Sequence, residues 1–220
     1  MIRLRLRLVG VGAMSSPRYA PAGLLVSFGR RHVMIDGGAS AVPLGPIDAW
    51  LVTDARSELI ASIRSLARER GLTARVERFE APGLVIRPFP VVHTSHPTFG
   101  YRIEATFPTR PRRQVRVVWA PELFAFPQWA SRADLMFAEA ASFSRAIHFA
   151  GGVGGHMPAL DVAREAKRRG VRRLVFAHVG RSSIRARDQG LPLPFGEWGD
   201  DGRAFVISGR GGRDRGMRRS

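Results

Sequence analysis

Apolar and charged positions alternate at period two over residues 2–8, where Arg3, Arg5 and Arg7 interleave with Leu4, Leu6 and Leu8. That pattern predicts a strand buried on one face. Two more strands are expected over 23–28 and 31–35, joined as a hairpin through Gly29 and Arg30, and a short apolar strand over 49–52. The period then changes. Leu59, Ile60, Ile63, Leu66 and Ala67 share one face of a helix expected over 57–70, with Ser57 as its cap and Gly71 as its stop. Strands are expected over 84–92, 100–105, 114–119 and 135–139. A second helix over 158–169 opens on a proline and closes at Gly170; a fully apolar strand over 174–178 and an edge strand over 204–207 come after it. Many strands first and strand–helix alternation afterwards predict an α/β protein of two packed sheets with helices outside. No short internal repeat is present.

At 220 residues and 45% hydrophobic composition, the chain fits one globular domain with a substantial core, here residues 1–208. Residues 209–220 are rich in Gly and Arg without apolar anchors and read as a flexible tail. The absence of cysteine excludes disulfides and thiolate metal sites. Charge interrupts the apolar residues of the N-terminus, which excludes a secretory signal core, and no run reaches the roughly 20 apolar residues of a membrane span. A cytoplasmic protein with no membrane contact is the expectation. The net charge is +17, and because Lys167 is the one lysine, 34 of the 35 basic residues are arginine. Guanidinium suits phosphate, so two readings are open: contact with nucleic acid or another polyanion, with salt-sensitive retention on heparin, or a solvated cationic surface with no such partner.

Thr53, Asp54, Arg56, Glu58 and Leu59 stand between an apolar strand with its Asp36-Gly37-Gly38 turn and the first helix. The segment resembles the Thr-His-x-His-x-Asp-His pattern of the metallo-β-lactamase superfamily, which supplies most ligands of a two-metal centre. Asp54, Arg56, Glu58 and Leu59 occupy the His, His, Asp and His places. Four further segments resemble the phosphodiesterase branch that includes the tRNA 3′-end processing endonucleases. His93 with the Gly100-Tyr101-Arg102-Ile103 run is similar to a motif whose His binds the first metal. Glu122, after a strand, stands where the bridging aspartate would. Phe137 to Phe143, with Glu139 inside it, is similar to a His-Glu-Ala-Thr-Phe segment without the leading His. Gly155-His156 and, beyond it, His178 match a Gly-His helix start and the last metal histidine. The order holds over roughly residues 1–207, and it implies a four-layer αββα sandwich of the metallo-β-lactamase type.

The resemblance implies His93 and His178 as metal ligands, Glu122 and Glu58 as carboxylates one methylene longer than the family's, and Asp54 as a carboxylate in place of a His. It implies His156 as a proton donor to the leaving group. Arg56 and Leu59 cannot ligate a cation. His32, His96 and His148 are expected to be structural or surface residues, Asp36-Gly37-Gly38 a turn, and the glycine run 151–155 a flexible connection. Three carboxylates and Arg56 leave a pocket charge of −2 that something must offset. Two readings are open. In one, Asp54, Glu58, His93, Glu122 and His178 hold at most one divalent ion (zinc, manganese or iron) for hydrolysis of a phosphodiester or other ester. In the other, Arg56 takes the metal's place beside Glu58 and Glu122, no ion binds, and hydrolysis is lost or much reduced. Many members of the superfamily are dimers, so a homodimer is allowed.

Overall fold

The computed structural model describes residues 2–209, so the expected tail lies almost wholly outside the described residues. The first sheet contains β1 (Arg3–Gly10), β2 (Gly23–Phe28), β3 (Arg31–Asp36), β4 (Ala49–Leu51), β5 (Ala74–Arg75) and, at the far end of the chain, β15 (Ala204–Ser208). Their spatial order is β15-β1-β2-β3-β4-β5, antiparallel as far as β3 and parallel beyond it. The second sheet contains β6 (Phe79–Ala81), β7 (Leu84–Val91), β8 (Thr98–Phe107), β9 (Arg113–Ala120), β10 (Leu135–Ala140), β13 (Leu174–Val179) and β14 (Glu197–Trp198), in the order β14-β13-β10-β9-β8-β7-β6. A small ribbon pairs β11 (Ile147–His148) with β12 (Gly155–His156). The helices are α1 (Ile60–Arg68), α2 (Ala159–Arg168) and α3 (Arg181–Asp188).

The inward faces of the two sheets interdigitate. Leu4, Leu6 and Leu8 of β1 meet a core that runs through Ile103, Val117, Phe137 and Phe176 of the second sheet, while Arg3 and Arg5 point to solvent. Each such fully buried aliphatic side chain contributes roughly 1.5–3 kcal/mol. β10 and β13 are buried at every position, as parallel strands covered on both faces must be. Met34, Trp50 and Val52 pack Ile63 and Ala67 of α1 against the outer side of the first sheet. On the opposite side α2 lies against β10 and β13, burying Ala159, Val162, Ala163 and Ala166. The layers therefore run helix, sheet, sheet, helix, as expected.

Two local readings need correction. Helix α1 begins at Ile60, and Ser57 accepts the Ile60 N–H through its backbone carbonyl at 3.1 Å rather than capping with its hydroxyl. Helix α3 was not expected, because Arg181, Arg185, Arg187 and Asp188 dilute its apolar stripe. Ser183, Ile184 and Ala186 are the residues it buries.

Candidate functional site

β7, β9, β10 and β13 all run in the same direction, so residues at or just beyond their C-terminal ends gather at one edge of the second sheet. That edge receives His93 after β7, Glu122 after β9, Glu139 in β10 and His178 in β13. Asp36 and Thr53 arrive from the facing end of the first sheet. His178 has φ of 65° and Asp36 a φ of 55°, a left-handed backbone that a side-chain-bearing residue adopts only under constraint. At His178 the β10–β13 register slips, a bulge that re-aims the imidazole out of the strand alternation.

Glu139 is the hub. One carboxylate oxygen accepts from His178 Nδ1 at 3.1 Å and the Ala141 N–H at 2.7 Å. The other accepts from His156 Nδ1 at 2.7 Å and the Leu123 N–H at 3.2 Å. The far nitrogen of His178, Nε2, lies 3.1 Å from Glu122 Oε1, and Glu122 Oε2 lies 3.6 Å from His93 Nε2. His93 in turn places Nδ1 2.9 Å from the Gly155 carbonyl. The rings of His93, His156 and His178 succeed one another at centroid spacings of 4.8 and 5.4 Å. Each therefore has Nδ1 occupied by an acceptor, which turns Nε2 toward the interior of the site.

The end of the glycine run, Gly154 and Gly155, is a clamp rather than a flexible connection. The Gly155 N–H donates to the His93 carbonyl at 2.8 Å, and a Cβ at Gly154 or Gly155 would lie within 1.9 Å of a backbone oxygen. Only glycine allows that approach. Asp36 is likewise more than a turn residue: half-buried, it accepts from Thr53 N–H, Thr53 Oγ1 and Trp119 Nε1 at 2.7, 3.0 and 2.7 Å. It thereby ties the first sheet to the second directly beneath the site.

The segment from 53 to 59 delivers less than the resemblance implied. Asp54 is buried, but its carboxylate is engaged by His96 Nε2 at 2.9 Å and by the Arg56 N–H at 2.7 Å. Arg56 and Glu58 are exposed. Among the described residues the Arg56 guanidinium forms no ion pair, so the expected pairing with Glu58 or Glu122 is absent. The reason is local: the Asp54 carboxylate holds the following N–H in a tight turn that carries Arg56 outward. Leu59 is half-buried against the cluster beneath α1. A cavity of about 50 Å³ beside the site is lined by Thr53, Glu58, Leu59, Glu122 and His178 among others. Glu139, although inside a quoted motif, and His96 were not expected at the site. A glutamate in the all-apolar run Leu135–Ala140 was the signal for the first, since such a carboxylate must be buried and satisfied.

Charge at the site is offset by a proton. Burial would lower His178, but Glu139 and Glu122 on its two nitrogens outweigh it and push the imidazole up to about 10. Burial would raise Glu139, but the His178 charge and the two imidazole donors hold it down to about 2. The same opposition, dominated against burial by His178, keeps Glu122 below the ordinary carboxylate range. Burial pushes Asp36 up to about 7. The signs are set by linkage. The His178 contribution is complete below the unfolded value near 6.5 and is lost as pH rises through about 10. That of Glu139 is complete above 4.5 and is lost as pH falls through about 2. Asp36 adds a loss as pH rises from 3.8 through about 7. Thermal melts from pH 3 to 10 should therefore show the highest midpoint near pH 4.5, a decline through about 7 as Asp36 ionises and a further fall toward pH 10. A midpoint that stays level from pH 6.5 to 10 would mean that His178 is not held as a cation.

Comparison with solved structures agrees with this architecture. A diphosphatase from the PhnP family superposes with a TM-score of 0.71 at 16% identity, over 94% of this chain and 98% of that one. The metallo-β-lactamase fold protein YhfI of Bacillus subtilis gives 0.67 at 17% identity, over 93% and 99%. The short form of human tRNase Z gives 0.63 at 14% identity, over 94% and 99%. No family sequence model and no curated protein sequence matches the chain. Two facing sheets flanked by helices, a site at their common edge and these near-complete superpositions lead to one conclusion: the chain is a metallo-β-lactamase-fold protein.

Proposed function

We propose that this chain is a hydrolase-like protein of the phosphodiesterase branch of its fold, in which two-metal hydrolysis is lost or much reduced. One observation carries the reading. The segment that would supply most ligands brings no histidine to the cavity, which it lines with Thr53, Glu58 and Leu59, while the longer carboxylate of Glu122 reaches toward Nε2 of both His93 and His178. The donor set does not fit a dinuclear centre: Asp54 is paired to His96, Arg56 carries only donors and Leu59 has no ligand atom.

A second reading, a one-metal hydrolase, is favoured by the common orientation of the three imidazoles. The Glu122 oxygens lie 3.1 and 3.6 Å from the two Nε2 atoms, separations that also suit neighbouring ligands of one ion bound at about 2.0–2.2 Å. His93, His178 and Glu122 would hold such an ion, and it would supply Lewis acidity and an acidified water. By contrast, Glu139 and His156 at 2.7 Å are at hydrogen-bonding distance, so Glu139 is better read as orienting the imidazoles than as a ligand. His156, fixed by Glu139, would be the proton donor. Hydrolysis of an activated aryl phosphodiester with added zinc, manganese or iron separates the two readings. The first predicts turnover at the background rate. Turnover well above it that His93→Ala abolishes, and that His156→Ala lowers by about 10²-fold or more, would replace the first reading with the second.

A further inference from the structure

On the outer face of the second sheet, Arg87 of β7 pairs directly with Arg102 of β8. Arg116 of β9 lies one diagonal step away, opposite Glu104. All three arginines are half-buried, and the Nε of each is buried without a hydrogen-bond partner. Among the described residues none of the three forms an ion pair. Arg102 lies 4.4 Å over the Phe89 ring and donates to the Trp129 carbonyl at 2.9 Å. Phe89 and Trp129 stack at 5.2 Å with 25° between their planes.

As a device for stability this arrangement is poor. Like charges directly opposite on paired strands repel, and half-burying three guanidinium groups beside a single carboxylate, Glu104, adds a desolvation cost that this carboxylate offsets only in part. Burial and then the neighbouring Arg116 lower the affinity of Arg102 for its proton; Glu104 opposes the effect and Arg87 adds to it. A partner that brings negative charge would relieve all of this. The arginines are spread across three strands, at steps of about 5 Å for the direct pair and about 7–8 Å for the diagonal. That spacing suits successive anions of a polymer rather than a single small one. Guanidinium forks match phosphate oxygens, and an aromatic pair at the end of the row is the usual complement for unpaired bases.

We propose that this face of β7, β8 and β9 docks a single strand of nucleic acid, whatever the hydrolytic competence of the site at the sheet edge. The test is fluorescence anisotropy of the full chain with a labelled 20-nucleotide oligo-uridine across a salt series. Arg87→Gln/Arg116→Gln should weaken binding about tenfold and reduce the log–log salt slope by about 1.4, while the melting temperature stays level or rises. Arg3→Gln/Arg5→Gln, an equal loss of charge on the exposed face of β1, should change binding less than threefold. The proposal is overturned if that control, or the same loss of charge within residues 210–220, weakens binding as much as the sheet variant. It is equally overturned by a duplex of the same length that binds as tightly, or by no binding at low salt. Should the double variant fold poorly, Arg116→Gln alone should still weaken binding about threefold and lower the slope by about 0.7; unchanged binding would again overturn the proposal.

Discussion

Replacing Glu139 by Gln is expected to cost about 3–5 kcal/mol of stability, a fall of roughly 10 °C or more in melting temperature for a chain of this size. The substitution conserves shape, so the loss comes from two electrical effects. The carboxylate accepts four donors, two at each oxygen. The amide's NH₂ end must face two of them, leaving buried donors unpaired. The proton on His178, a buried residue, would also keep Glu122 as its one carboxylate partner at the site. Chemical denaturation of the variant beside the wild type measures the difference. A cost under 1 kcal/mol would mean that the Glu139–His178–Glu122 arrangement does not hold the site together.

The second large effect is a gain. Asp54→His, Arg56→His, Glu58→Asp and Leu59→His together with Glu122→Asp restore the ligand types of the motif this chain resembles. Metal content after reconstitution should rise to about two ions per chain. The shorter aspartate at 122 withdraws from between His93 and His178, and the new histidines replace a leucine and an outward-facing arginine. Some stability will be lost, since Leu59 packs against the cluster beneath α1 and Asp54 gives up His96. If the rebuilt chain takes up no more metal than the natural one, the course of the backbone over residues 53–59, and not the missing side chains, is what prevents coordination.

Much of the fold was legible because its signals are local and strong. The period-two run of β1, the Gly29 hairpin between β2 and β3, and the apolar runs of β10 and β13 each name their element. Helix α3 was hidden because Arg181, Arg185, Arg187 and Asp188 interrupt its apolar stripe, leaving three small or apolar residues to bury. At the site, the ordered motifs brought His93, Glu122, His156 and His178 to notice, and the structure gathers all four around Glu139. Sequence could not show the direction of Arg56, because a two-residue spacing leaves open whether a turn carries the side chain inward or outward. Here the Asp54 carboxylate decides it by accepting the Arg56 N–H at 2.7 Å. Nor could it show that charge would be balanced by a proton on His178, since that depends on two glutamates remote in sequence meeting one ring.

The central claim is that this pocket cannot build a dinuclear centre, and metal stoichiometry tests it most directly. The purified natural chain would be supplemented in turn with zinc, manganese and iron, freed of loosely bound ions, and analysed by inductively coupled plasma mass spectrometry against protein concentration. The account predicts at most one ion per chain with each metal. Two tightly held ions per chain would contradict it.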